Sequence, residues 1–484
     1  MAAAAGPAIA QPAAAETGPG KPRIRVLELF AGIGGMRLAL SYAGLDVDAL
    51  AVEVNEIALR AYKRNFGDAG VIARDLRSLS VSWFDQQGCQ VWTMSPPCQP
   101  YTRQGKVRDA EDARAQPLLH VIHVLENMTS PPEAIVLENV QNFERSESCA
   151  RLLAALRLRG YDWRSFLLSP RQFGFPNARS RFYLVAKQQR WPFDLVPTPA
   201  AQDAGVVCQP WPLLPCLAAA RAGVDWTAEG GSPASACEAD GGAAAAKEAE
   251  FTCSACSRPV PEAFATGAAS TGCAYPTPPI LQFLDSEDGE ASTAEEIGEC
   301  SSQAPPPWLV PESVMQKESA RCFDVLQGGC QHSLCFTKAY GRYVNGTGSV
   351  YMMARRLAEP SVDEYTMREF FGSVRYFTPR EVARLLGFKL RSVGAPACAG
   401  GCLPACSAHE GAPESGGAAD ADGQAAPRAP PCRCPAFDLP SGSAAADGAR
   451  ELWALLGNSL NPQVVALVCQ LCQLADIVPE ACSG

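Results

Sequence analysis

The sequence predicts an α/β protein built on a doubly wound, mostly parallel sheet, and three observations carry that prediction. Short apolar runs alternate with amphipathic segments from Arg23 to Lys187, the strand–helix alternation of a parallel sheet. A glycine-rich stretch, Phe30-Ala31-Gly32-Ile33-Gly34-Gly35, separates the first apolar run from the first amphipathic one, where a tight strand-to-helix turn is needed. Polar and reactive residues recur just after the apolar runs, at the carboxyl ends of strands, where such sheets bind ligands.

The elements follow in order. Arg25–Phe30, Asp48–Val54, Val91–Ser95, Ala134–Glu138 and Phe182–Ala186 read as buried strands, and Val71–Ala73 is a further short apolar stretch, third in order along the chain. Met36–Ala43, Glu56–Asn65, Leu118–Met128 and Cys149–Leu158 carry the helical period between them. Near residue 200 the texture changes. The predicted organisation is a disordered tail (1–22), the α/β domain (23–199), an acidic low-complexity insert (200–305) and a small periodic, aromatic-bearing segment (306–390). A second low-complexity insert rich in Cys, Gly and Ala (391–449) follows, and a C-terminal helix (450–484) returns to the α/β domain.

The net charge of −10 at first argues against a polyanionic partner. Its distribution reverses that reading. Residues 201–300 hold 15 Asp/Glu against 3 Lys/Arg, and 391–449 hold 6 against 3, so the rest of the chain carries +5. The 21 cysteines are spread through a long chain without a basic, apolar leader, which predicts free thiols rather than a disulfide scaffold. Loose clusters occur at Cys253/Cys256, at Cys398, Cys402, Cys406 and His409, and at Cys432/Cys434. A zinc site needs four ligands at firm spacing; the CxxC has no matching second pair and the Gly/Ala context offers little scaffold, so no metal is expected. No apolar run approaches the ~18–20 residues that span a bilayer, so no membrane partner is expected.

The strand ends carry the chemistry. Glu53 stands where an acidic residue binds ribose hydroxyls, and Asp75 where one accepts from an adenine amino group. With the glycine turn, three successive strand ends favour an adenosine-bearing cofactor. The fourth ends in Ser95-Pro96-Pro97-Cys98-Gln99-Pro100. Prolines on both sides fix the backbone and exclude helix, a costly way to place a packing residue and a sensible way to aim a thiolate. Glu138-Asn139-Val140 brings a carboxyl to the same sheet edge, and Arg179-Ser180-Arg181 sets two guanidinium groups before the last strand. Arg103, Lys106, Arg108 and Arg114 suit phosphate contact, although acidic residues interleave with them.

FAGIGG, PPCQP, ENV, RxR and the late Gly457-Asn458-Ser459-Leu460-Asn461 resemble, in order, the motif set of the DNA-type cytosine-5 methyltransferases. Cys335-Phe336-Thr337, Tyr340, Tyr343 and Gly346-Thr347-Gly348-Ser349, with Asn177 and Tyr376-Phe377-Thr378-Pro379, resemble the tRNA(Asp) cytosine-5 methyltransferase family. The resemblance implies S-adenosyl-L-methionine as cofactor, contacted by Phe30, Gly32, Ile33, Gly34, Gly35, Glu53, Asp75, Leu76, Ser95, Asn458 and Ser459. It implies Cys98 as covalent nucleophile, Glu138 at the cytosine ring nitrogen, and Arg179 and Arg181 holding the base. Gln99, Arg103, Asn177, Cys335, Phe336 and Thr337 fall on the substrate side, with Cys335 a recognition or structural residue rather than a second catalytic thiol. The implied partner is tRNA, methylated at cytosine 38 of the anticodon loop, and the implied location is the cytoplasm, with the nucleus also. Two rivals stand beside this reading: a DNA cytosine-5 methyltransferase, which the catalytic motifs alone admit, and a weakly catalytic nucleic-acid-binding protein on the same fold. The second predicts damage at Cys98, Glu138 or the glycine turn, and all are intact.

Overall fold

The structure is a computed structural model that describes residues 23–98, 101, 112–193, 206–207, 277–285, 308–353, 367–391, 436–439 and 446–477. The predicted tail, most of both inserts, their cysteine clusters, Gln99 and Arg103 lie outside these residues. The chain opens with β1 (Ile24–Leu29), α1 (Gly35–Tyr42), β2 (Val47–Glu53), α2 (Glu56–Phe66) and β3 (Val71–Ala73). It continues through α3 (Val81–Gln87), β4 (Val91–Met94), α4 (Gln116–Asn127), β5 (Ala134–Val140), α5 (Glu147–Leu158), β6 (Tyr161–Leu168) and β7 (Arg181–Gln188). With a short β8 (Val206–Val207), these strands form one sheet in the order β3-β2-β1-β4-β5-β7-β6-β8.

The strands β1 to β5 pair in parallel, and β7 runs antiparallel to both neighbours. Strand order reverses between β1 and β4, the switch point where doubly wound sheets open a crevice. Both faces are covered, which is why the strands read as continuous apolar runs rather than alternating ones. In β1, Ile24 and Val26 pack towards α1, whereas Leu27 and Leu29 join Trp92, Leu118 and Leu152 on the opposite face.

Side-chain caps start several helices. Asn55 accepts from the Ile57 and Ala58 N–H groups at the start of α2, and Ser146 accepts from Cys149 N at the start of α5. A second sheet of three strands, ordered β11-β10-β9, comprises β9 (Asp324–Leu326), β10 (Ser349–Met352) and β11 (Val374–Tyr376). Next comes α6 (Pro379–Leu385), opened by a Thr378/Glu381 capping box. Glu381 also takes both Nη atoms of Arg375 at 2.8 Å, a buried pair that fixes α6 against β11.

The chain then returns through α7 (Ala446–Gly457) and α8 (Pro462–Leu471), and α8 packs along α1. The single C-terminal helix expected from the sequence is thus two helices, broken between Gly457 and Pro462; Gly448–Leu471 is long and apolar enough to cross a membrane by length and composition alone. More than half of it is buried inside the protein. The low-complexity assignments also need correction. Ile280 and Leu284 are buried in the core of the smaller sheet, Asp285 Oδ1 accepts from Arg384 at 2.8 Å, and Phe437 packs on Phe388. The Ile280–Leu284 run is apolar enough to pack, which the surrounding composition obscured.

Candidate active site

A cavity of ≈350 Å³ opens along the carboxyl ends of β1 to β5, within the range of small-molecule sites. The residues after each strand line it: Phe30 to Ile33, Glu53 to Asn55, Arg74 to Leu76, Ser95 to Cys98, and Glu138 to Val140. Arg114, Pro117, Arg179, Arg181 and the α7–α8 link, Gly457 to Leu460, complete it.

The glycine turn is shaped by backbone conformation. Phe30, Gly32 and Gly34 all have positive φ (56°, 54° and 88°). A Cβ on Gly34 would also lie 2.2 Å from the Phe66 ring, so only glycine serves there. Glu53 braces the turn: Oε2 accepts from Gly32 N, and Oε1 accepts from Val54 N and Asn55 N, each at 2.8 Å. The carboxylate foreseen as a ribose ligand is therefore first a loop brace.

Asp75 differs more from expectation. It accepts from Arg77 through both carboxylate oxygens, with distances of 2.5–3.1 Å, and caps Arg77 N at 2.9 Å. These bonds, led by the Arg77 side chain, hold its carboxyl below the ordinary value. The Asp75 oxygens are thus engaged locally, although Asp75 and Leu76 still line the cavity.

At the reactive end, Cys98 is half-buried at the cavity wall. The loop that carries it is tied to the next strand end, where Asn139 Nδ2 donates to the Pro96 carbonyl at 3.2 Å. Ser95 Oγ donates to Glu138 Oε2 at 2.7 Å, and Arg181 Nε lies 3.4 Å from Glu138 Oε1. The Glu138 side chain is 6% exposed. A buried carboxylate needs such partners. Cys98 also feels the charges of Arg181 and Arg114. Arg114 was read from the sequence only as one basic residue among several; its interleaving with acids hid its place beside the cysteine.

The two arginines part company. Arg181 begins β7 and faces Glu138. Arg179, just before the strand, spends its guanidinium on backbone carbonyls: Phe336 O at 3.0 Å, Gly457 O at 3.1 Å, and Ser459 O. It lines the cavity with Arg181, but its hydrogen bonds join the β7 entry, the segment at 335–337 and the α7–α8 link. Burial, and then the charge of Arg181, lower its proton affinity.

Cys335 sits behind this pair, its sulfur 3.3 Å from Arg179 Nη1. Burial opposes its ionisation, but the two guanidinium groups outweigh burial and hold the thiol below its ordinary value. Asn177 Nδ2 donates to Ser333 Oγ and the Leu334 carbonyl, at 3.2 and 3.0 Å. Asn177, Cys335, Phe336 and Thr337 form the wall behind the arginines and do not line the cavity. Ten of the eleven residues assigned to the cofactor do line it; Gly34 lies in the turn behind. Val54, Asn55, Arg74 and Pro117 line it as well and were missed, because nothing in their residue type signals a ligand.

The family model for C-5 cytosine-specific DNA methylases matches residues 24–204. A tRNA (cytosine(38)-C(5))-methyltransferase of Homo sapiens is 30% identical over 377 residues, covering 75% of this chain and 90% of that protein. Its Schizosaccharomyces pombe counterpart is 30% identical over 372 residues, covering 76% and 86%. A DNA (cytosine-5)-methyltransferase of Dictyostelium discoideum is 26% identical over 381 residues. The crystal structure of the S. pombe Dnmt2 methyltransferase superposes with a TM-score of 0.57 at 24% identity, over 94% of this chain and 99% of that one, which establishes the shared fold. With the motifs in order at one sheet edge and the likeness running almost the length of the relatives, the chain belongs to the C-5 cytosine methyltransferases, in the group of the tRNA (cytosine(38)-C(5))-methyltransferases.

Proposed function

We propose that the protein transfers a methyl group from S-adenosyl-L-methionine to carbon-5 of cytosine 38 in the anticodon loop of tRNA(Asp), through a covalent adduct on Cys98. The observation that carries this reading is the convergence of Cys98 and the Ser95–Glu138–Arg181 chain on the wall of a cavity whose other end is the glycine turn. The cofactor fits the residues present. Close backbone approach is permitted where a Cβ on Gly34 or Gly35 would crowd neighbours, and Glu53, Val54, Asp75 and Leu76 line the far part. When bound, it supplies an electrophilic methyl group.

Each residue then has a defined task. Cytosine carbon-5 is too weak a nucleophile to accept the methyl unaided. The Cys98 thiolate adds to carbon-6, and the ring electrons it displaces make carbon-5 enamine-like. Glu138 hydrogen-bonds ring N3 and delivers a proton there as the adduct forms. Ser95 and Arg181 hold that carboxyl in place, and Arg181 offsets the negative charge that develops nearby. Once carbon-5 carries the methyl group, water takes the carbon-5 proton, the electron pair of that C–H bond re-forms the ring double bond and expels the Cys98 thiolate, and Glu138 takes back the N3 proton. Arg179 acts at one remove by fixing the loops around Arg181.

A paired base cannot reach such a cavity, whereas an anticodon loop presents unstacked bases at low cost. The Homo sapiens and Schizosaccharomyces pombe relatives named for cytosine 38 of tRNA are each 30% identical to this chain, against 26% for the Dictyostelium protein over a similar span, which favours tRNA over the duplex DNA that its name suggests. Bisulfite sequencing of tRNA and of genomic DNA, each incubated with protein and cofactor at one ionic strength, tests the reading. Matched salt matters because salt alone reorders affinities for polyanions. Conversion at cytosine 38 is the expected result. Duplex DNA methylated at least as fast, or label outside the anticodon loop, overturns it.

A further inference from the structure

Beneath the glycine turn lies a buried acidic group that the chemistry above does not use. Glu28, in the middle of β1, is 1% exposed. Its Oε1 accepts from the backbone N–H of Arg37, in the first turn of α1, at 3.2 Å. Its Oε2 accepts from the Tyr62 hydroxyl of α2 at 2.8 Å, and that hydroxyl accepts in turn from Arg37 Nη1 at 3.4 Å. The Arg37 guanidinium lies 4.8 Å from the centre of the Phe66 ring, the same ring that fills the space beside Gly34. A continuous set of contacts therefore runs from one carboxyl group through α1 and α2 to the back of the glycine turn.

We propose that Glu28 is a proton-linked positioning residue of the cofactor site, its carboxylate pinning α1 and the Tyr62–Arg37–Phe66 stack under the glycine turn so that protonation loosens the turn and weakens cofactor binding. This rests on the cofactor assignment made above. Ionised, the carboxylate accepts both hydrogen bonds strongly. Protonated, it holds the Arg37 N–H more weakly, and its proton competes with that of Tyr62 for one oxygen. The groups that face it are few. Arg37 comes from α1, Tyr62 from α2 and Glu53 from β2, and β4 contributes only the uncharged Thr93 at the paired register position.

Burial is the largest influence and pushes the Glu28 carboxyl up to about 7; the Tyr62 and Arg37 hydrogen bonds and the Arg37 charge pull against it, and Glu53 adds to the rise. The ionised, binding-competent form therefore gains population as pH rises through neutrality. Cofactor binding selects that form and releases a proton.

S-adenosylhomocysteine is a suitable probe, since it carries no sulfonium and reacts with nothing. Its Kd, measured by calorimetry on the full chain, should weaken about tenfold from about pH 8 to about pH 5.5, the effect of a one-unit pKa change on binding. At neutral pH, titrations in two buffers of different ionisation enthalpy should reveal proton release. In Glu28→Gln the Kd should be flat with pH and close to the parent's weak, acidic-side value. Tyr62→Phe removes a bond that lowers the Glu28 value, so it should move the midpoint of the profile to higher pH; this variant keeps the carboxyl and answers the objection that Glu28→Gln merely misfolds. A parent Kd independent of pH, or the same slope in Glu28→Gln, overturns the proposal while leaving the cofactor assignment intact. Failure of the parent to bind the probe at any pH overturns both.

Discussion

Gly457, the last residue of α7, gives the sharpest test of how the cavity is held together. A Cβ placed there would lie 2.2 Å from the Thr337 carbonyl carbon, 2.3 Å from Lys338 N and 2.6 Å from Thr337 O. Ordinary contact begins near 3.4 Å, so Gly457→Ala forces two backbones apart by about 1 Å or more, and no side-chain rotation relieves it. The same guanidinium bonds both segments, reaching Phe336 O at 3.0 Å and Gly457 O at 3.1 Å. Separation therefore weakens a charged hydrogen bond as well. Overpacking at 1–3 kcal/mol and partial loss of a bond worth 1.5–3 give a cost of about 3–4 kcal/mol, or roughly 10 °C in melting temperature. Gly35→Ala is the control for stability alone, since the three atoms nearest its Cβ belong to the Leu460 and Ser459 side chains, at 3.1 Å; it should cost about 1 kcal/mol. Thermal melting followed by circular dichroism, with tRNA methylation on the same preparations, measures both effects. If Gly457→Ala melts within about 2 °C of the parent and keeps its activity, the close apposition of the two segments is wrong.

Cys98→Ala should abolish methyl transfer while leaving S-adenosylhomocysteine affinity within about twofold, because the thiol is needed for the chemistry alone. A denaturation-resistant complex with 5-fluorocytosine-containing RNA should form with the parent and not with this variant; retained turnover would remove Cys98 from its role. Arg179→Lys keeps the charge but not the planar fork that reaches three carbonyls, and should cost about 3 kcal/mol in chemical denaturation. Glu28 in the folded chain takes up its proton well above the ordinary value of 4.5. Its contribution to stability is therefore complete at low pH and is lost as pH rises from about 4.5 through about 7, by up to about 3 kcal/mol. Glu28→Gln cannot lose that contribution, so relative to the parent it should be markedly more stable at pH 8 than at pH 5, as paired urea titrations will show.

The sheet was legible because its strands are buried on both faces and stay apolar from end to end, as in Val91–Met94 and Ala134–Leu137. Two elements between Arg23 and Gln188 escaped. Tyr161–Leu168 carries Asp162 and Arg164 and pairs antiparallel with β7, so it lacks the apolar run of its neighbours. Val81–Gln87 is two turns long, too short to display a helical period. At the site, strand-end position identified Cys98, Glu138 and the glycine turn. It did not distinguish Arg181 from Arg179, because the difference depends on carbonyls that arrive more than 150 residues later in the chain. The bracing role of Glu53 was hidden for a related reason: it is made to backbone N–H groups, and sequence names only side chains.

Residues from both ends of the described chain meet in this site. Gly457 to Leu460 share the cavity with Gly32, and α8 packs along α1. The entropy of closing so long a loop grows only logarithmically with its length, so the low-complexity stretches between cost the folded protein little. The penalty falls instead on time. During synthesis the first five strands can assemble as they emerge, but the groove beside α1 that α8 fills stays uncovered until α8 itself has been made. A nascent chain therefore carries Cys98 and its glycine turn long before it can close the pocket that joins them, and that pocket is complete only with α7 and α8.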